Sequence, residues 1–106
     1  MLPKKKRITK EIFQTLMKGG KTFSSRLFLF YYKNTPYPQY VFVAPKNVYK
    51  TAVKRNKQRR IGYNIIRFLS LKSGSGIFMY KKQSISSTQV EIKEDIIFIL
   101  KKTGFL

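Results

Sequence analysis

The spacing of apolar positions changes period several times along the chain. Ile8, Ile12, Phe13, Leu16 and Met17 recur at helical spacing, with Thr9 placed to cap the helix and Gly19 and Gly20 to stop it. F-S-S-R-L-F-L-F-Y-Y, residues 23–32, is aromatic and nearly continuous and predicts a strand. N-T-P-Y-P is a turn with two prolines, and Y-V-F-V-A (Tyr40 to Ala44) predicts a second strand, paired with the first as an antiparallel hairpin. After the loop P-K-N-V-Y-K, residues 51–71 turn helical. S-G-S-G connects them to a third strand, Gly76 to Lys81. Ser86 or Ser87 can cap a last helix carrying Val90, Ile92, Ile96, Ile97, Ile99 and Leu100, with Gly104 just past its end. There is no internal repeat. The order α-β-β-α-β-α predicts an α+β sandwich, helices packed on a small mixed sheet, in one domain spanning residues 1–106 with residues 1–7 as a flexible basic arm.

On a wheel of 100° per residue, Val53, Ile61, Ile65, Phe68, Leu69 and Leu71 of the 51–71 helix fall within an arc of about 160°, the face expected to pack on the sheet. Arg55, Asn56, Arg59, Arg60, Tyr63 and Arg67 fall within about 140° on the opposite side. Lys54 and Lys57 sit near the seam. The second face suits phosphate. Arg presents a planar fork that grips two oxygens and stacks on bases. Asn56 can read a base edge or a ribose hydroxyl.

Charge sharpens that reading. The formal net charge is +19, and residues 1–90 hold one acid, Glu11, while Glu91, Glu94 and Asp95 neutralise the last segment. Such self-repulsion points to a polyanionic partner, nucleic acid first and an anionic membrane surface second. The 42% hydrophobic and 15% aromatic content argues against disorder. No apolar run approaches the roughly 20 residues of a membrane span, and the N-terminus does not read as a secretory signal. The chain has no Cys, which excludes disulfides and thiolate metal sites and fits a reducing compartment. With no His either, acid–base catalysis would fall on four carboxylates. Glu91, Glu94 and Asp95 read as a solvated face with Lys93 rather than a metal site, and S-G-S-G lacks the Lys and spacing of a phosphate loop. No catalytic or metal-binding residue is expected in the chain itself.

A-V-K-R-N-K-Q-R-R (Ala52 to Arg60) resembles the A-V-x-R-N-x-x-K-R signature of the bacterial ribonuclease P protein subunit. R-I-T-K-E-I-F-Q (Arg7 to Gln14), R-L-F-L-F-Y (Arg26 to Tyr31), V-A-P-K-N-V (Val43 to Val48) and I-F-M-Y-K-K (Ile77 to Lys82) resemble that family's flanking segments in the same order. Where the family usually carries a further Arg, this chain has Tyr63, and Arg67 one turn on shares its face.

The resemblance implies a fold like the second domain of ribosomal protein S5. It also implies a cytoplasmic ribonucleoprotein that removes the 5′ leader from precursor tRNA. In that reading the catalytic RNA and its Mg²⁺ perform the hydrolysis and the protein is an accessory subunit, with no protein partner and no membrane. Arg55, Asn56, Arg59 and Arg60, with Arg67 and Lys46, would contact the catalytic RNA. Phe13, Met17, Tyr31 and Tyr63 would line the cleft for the leader, where stacking contributes about 1–3 kcal/mol per base.

Blander readings stand beside these. Phe13 and Met17 at i, i+4 fit a core, and Tyr31 fits a cover on the sheet. At least two of Phe28, Phe30 and Tyr32 should be core. A structural RNA-binding protein of ribosomal type shares the charge and size, and P-K-K-K-R (Pro3 to Arg7) looks like a nuclear-import signal. If the basic helix meets about five phosphates, the logarithm of RNA affinity should fall against log salt with a slope near −4. Titrations at several salt concentrations check this, and a slope near zero contradicts it.

Overall fold

The computed structural model describes residues 10–36 and 38–106; the side chains of Lys10, Glu11, Ile12, Thr15 and Met17 fall outside that description. The expected basic arm and the Thr9 cap lie outside the described residues. The elements are α1 (Lys10–Gly19), β1 (Lys21–Ser24), β2 (Phe28–Lys33), β3 (Pro38–Val43), α2 (Ala52–Ile66), β4 (Gly74–Tyr80), a 3₁₀ turn (Lys82–Ser86) and α3 (Gln89–Thr103). They form the expected α+β sandwich around a mixed four-stranded sheet in the order β1-β2-β4-β3.

Two strand expectations are corrected. The aromatic run 23–32 is two strands, not one. Ser25 breaks it: Ser25 Oγ accepts from the Phe28 amide at 3.1 Å and donates to Asp95 at 2.6 Å, and the Leu27 amide also donates to Asp95, at 3.2 Å. β1 then folds back antiparallel on β2. Nor do β2 and β3 form a hairpin. β4 lies between them, antiparallel to β2 and parallel to β3.

Small residues explain why β4 fits the centre. Gly76 pairs with Tyr32 on one side and Tyr40 on the other, and a Cβ there would lie 2.3 Å from the Phe30 ring. The next row, Phe30–Phe78–Phe42, is wholly aromatic, with Phe42 and Phe78 stacked at 4.7 Å between centroids. Phe28 and Tyr80 continue it at 4.6 Å. This face packs against Ile66 of α2 and Ile92, Ile96, Ile99 and Leu100 of α3. Phe28 and Phe30 are thus core and Tyr32 half-buried against it. On the opposite face the rows are Leu29–Met79–Val43 and Tyr31–Ile77–Val41. There α1 packs on β2 and β4, with Leu16 and Ile77 fully buried.

α3 is capped by Thr88 rather than by either serine before it. Thr88 Oγ1 accepts from the Glu91 amide while the Glu91 carboxylate accepts from the Thr88 amide. That backbone hydrogen bond, with the Arg26 guanidinium 3.1 Å away, holds the Glu91 carboxyl below its ordinary pKa. The helix ends at Gly104, whose φ of 89° is left-handed. Glu91 and Asp95 are therefore not a merely solvated face; both fasten the β1–β2 turn to α3.

The packing face of α2 is corrected in part: Ile61, Ile65, Leu69 and Leu71 pack half-buried against the core as expected, but Val53 and Phe68 do not. Val53 is 77% exposed and Phe68 81%, whereas Gly62 and Ile66 are buried. The seated edge runs through Arg55, Gln58, Gly62 and Ile66, turned by about 100° from the apolar arc. A Cβ on Gly62 would lie 2.4 Å from the Phe42 ring, so the helix rests on the sheet through its smallest residue. Gly62→Ala should cost about 1–3 kcal/mol through overpacking, outweighing a helix-propensity gain of about 1 kcal/mol. Urea unfolding measures it, and a stabilised variant would contradict this seating.

Candidate nucleic-acid interface

α2 opens with Thr51, whose Oγ1 accepts from the Lys54 amide at 3.2 Å. No acid stands in its first turn, and Lys54 and Arg55 lie at the positive end of the helix dipole. That placement disfavours the isolated helix and favours an anion beside it. Neutral groups hold the helix in place. The Tyr80 hydroxyl donates to the Gln58 carbonyl at 2.7 Å, and burial pushes that phenol far above its ordinary pKa, keeping it protonated. The Phe42 amide on edge strand β3 donates to the Tyr63 hydroxyl at 3.3 Å, and the two rings meet edge to face at 5.3 Å.

The rotation of α2 redistributes the cations. Arg55 turns inward and donates to the Tyr49 carbonyl at 3.0 Å. Lys54 and Lys57, expected at the seam, are exposed, as are Asn56, Arg59, Arg60 and Asn64. Arg59 donates to Asn56 Oδ1, so one turn of helix presents an ordered guanidinium–amide pair. Arg67 caps the end of α2 and lies exposed with its guanidinium 5.3 Å from the centre of the Phe68 ring. Lys46 is exposed on the β3–α2 loop.

Asn56, Arg59, Arg60 and Tyr63 converge on one groove of about 400 Å³, with Val41, Phe42 and Asn64. Val41 belongs to the sheet face that also carries Tyr31, so the groove turns the edge of β3 onto that face. Tyr31 is half-buried there, and Phe13, one turn before buried Leu16 on α1, is half-buried as well. The Met17 side chain lies outside the described residues. The sheet therefore separates two groups: the Arg59 cluster along the β3 edge, and Phe13 with Tyr31 on the α1 face. Sequence reasoning missed Val41 and Asn64. The alternation of Y-V-F-V-A could have supplied Val41, opposite in face to Phe42; Asn64 depended on the helix rotation.

Together these features define a small basic α+β protein with a cationic helix laid along the edge of a mixed sheet. The family model described as Ribonuclease P matches residues 2–104, and the chain belongs to that family. Its fold is that of the RNase P protein of Staphylococcus aureus, solved at 2.0 Å, with a TM-score of 0.85 and 21% identity over 94% of this chain and 96% of that one. The RNase P protein of Thermotoga maritima is similar at a TM-score of 0.82 and 19% identity, covering 91% of this chain and 96% of that one. No curated protein is significantly similar in sequence. Among the described residues no helix is long and apolar enough to cross a membrane.

The geometry separates two arginines that the sequence placed together. Arg59→Ala should weaken RNA binding by about 1–3 kcal/mol and leave thermal stability intact. Arg55→Ala should also destabilise the fold, by about 0.5–1.5 kcal/mol, because the Tyr49 carbonyl loses its donor. Paired melting and binding assays read both, and equal stability losses would contradict the assignment.

Proposed function

We propose that this chain is the protein subunit of ribonuclease P, one RNA-binding domain that docks on the catalytic RNA and holds the 5′ leader of precursor tRNA during its removal. The observation that carries the proposal is the exposed Asn56–Arg59–Arg60 cluster on a helix with no acid, standing beside a groove whose Val41 belongs to the sheet face that carries Tyr31. Phosphates between guanidiniums release counterions and gain charge-assisted hydrogen bonds. Tyr31 and Phe13 offer stacking surfaces that tolerate any base, as a leader of variable sequence requires. Arg55 acts here mainly by fixing α2, with Arg67 and Lys46 as outlying phosphate contacts. Tyr63 acts as a wall of the groove, and Met17 is assigned to the cleft by its place in α1.

In this reading the chain supplies positioning and the RNA supplies the chemistry. Among the described residues no group of three or more His, Cys, Asp or Glu side chains could hold a metal ion. Glu91 and Asp95 are engaged with Arg26, Ser25 and the Leu27 amide. In this proposal Mg²⁺ is held by the RNA, and the protein's cations offset the repulsion between leader and ribozyme.

Reconstitution tests the proposal. The purified chain, added to a bacterial ribonuclease P RNA and leader-bearing precursor tRNA at low Mg²⁺, should accelerate cleavage at the correct 5′ site. Tight, salt-sensitive binding without acceleration, repeated with the native RNA recovered by pull-down, would favour a purely structural RNA-binding role.

A further inference from the structure

α2 has a second flank. Between it and α3 lies a groove of about 630 Å³, within the size range of pockets that enclose small ligands. Lys57 and Arg60 stand on one wall and Lys93 on the other, and among the described residues no carboxylate lines it. Its apolar surface is left in water: Phe68 is 81% exposed and Val90 64%. The Arg67 guanidinium lies over the Phe68 ring at 5.3 Å, bracing it as a platform. Asn64, at the groove, carries both a donor and an acceptor.

We propose that this α2–α3 groove is a second RNA contact that takes one unpaired nucleotide, its base against Phe68 and its phosphate between Arg60 and Lys93. The inference rests on the proposed function and extends it to a surface on the other side of the helix. Arg60 and Asn64 line both grooves, so one strand or two neighbouring strands of RNA can meet on α2. An aromatic platform inside a cationic rim is the combination that binds single-stranded nucleic acid without regard to sequence. A second copy of the chain fits less well, because it would bring Lys57, Arg60 and Lys93 against another molecule of charge +19.

The test uses the full chain and a bacterial ribonuclease P RNA transcribed with 4-thiouridine. Phe68→Ala should weaken binding about tenfold with no change in salt slope, since stacking releases no counterion, and Phe68→Tyr should restore affinity. Lys93→Ala should instead lower the salt slope by about 1. Ultraviolet crosslinks should map to the peptide containing Phe68. Arg59→Ala separates the two levels of the argument. If it weakens binding while the Phe68 and Lys93 variants bind as wild type, the groove is not an RNA site and this inference alone falls. If none of the three matters, the RNA-binding reading falls with it. Loss of self-association in Phe68→Ala at unchanged RNA affinity would assign the groove to a second copy and overturn the proposal.

Discussion

A helix with five cations and no acid cannot be fastened to a basic domain by ion pairs without spending the charges that distinguish it. α2 is held by rings and phenols instead. Gly62 lets the helix backbone approach the Phe42 ring, the Tyr80 hydroxyl ties down the Gln58 carbonyl, and the Tyr63 hydroxyl accepts from the edge amide of Phe42. Only Arg55 is drawn inward, and its partner is a neutral carbonyl. Arg59, Arg60, Lys54 and Lys57 remain in solvent. Such a seat leaves electrostatic strain in the folded protein, which a polyanion relieves on binding.

The aromatic sheet makes this seat possible. With β4 at the centre, Phe78 lies between Phe30 and Phe42, and the rings form a rigid floor under α2 and α3. The same topology leaves β3 on an edge, so that α2 lies along it and its groove reaches the opposite face. Among the described residues no acid lines that groove. Glu91 and Asp95 serve the β1–β2 turn, satisfying donors of Arg26, Ser25 and Leu27.

Periodicity made the element order legible, and the motif in Ala52 to Arg60 made the family legible, because both are local. What escaped depends on contacts between distant residues. The break at Ser25 is fixed by Asp95, seventy positions away. The insertion of β4 between β2 and β3 follows from the fit of Gly76 between Tyr32 and Tyr40, which no reading of the N-T-P-Y-P turn contains. The rotation of α2 turns on Gly62, a residue that hydropathy counts as nothing and that packs because it is small. That rotation moved Arg55 inward and Lys57 outward while leaving Asn56, Arg59 and Arg60 exposed. The exposed cations of α2 were therefore largely readable, and the face that seats the helix was not.

The central claim is that α2 is fixed without ion pairs, by ring contacts and by hydrogen bonds to neutral partners. It is tested most directly by following thermal unfolding of the free protein as sodium chloride is raised. Among the described residues the ion pair is Arg26–Glu91, which joins the β1–β2 turn to α3 and involves no residue of α2, so screening should chiefly remove repulsion and the melting temperature should rise with salt. A melting temperature that falls with salt would mean that ion pairs hold the basic helix, and would contradict the account.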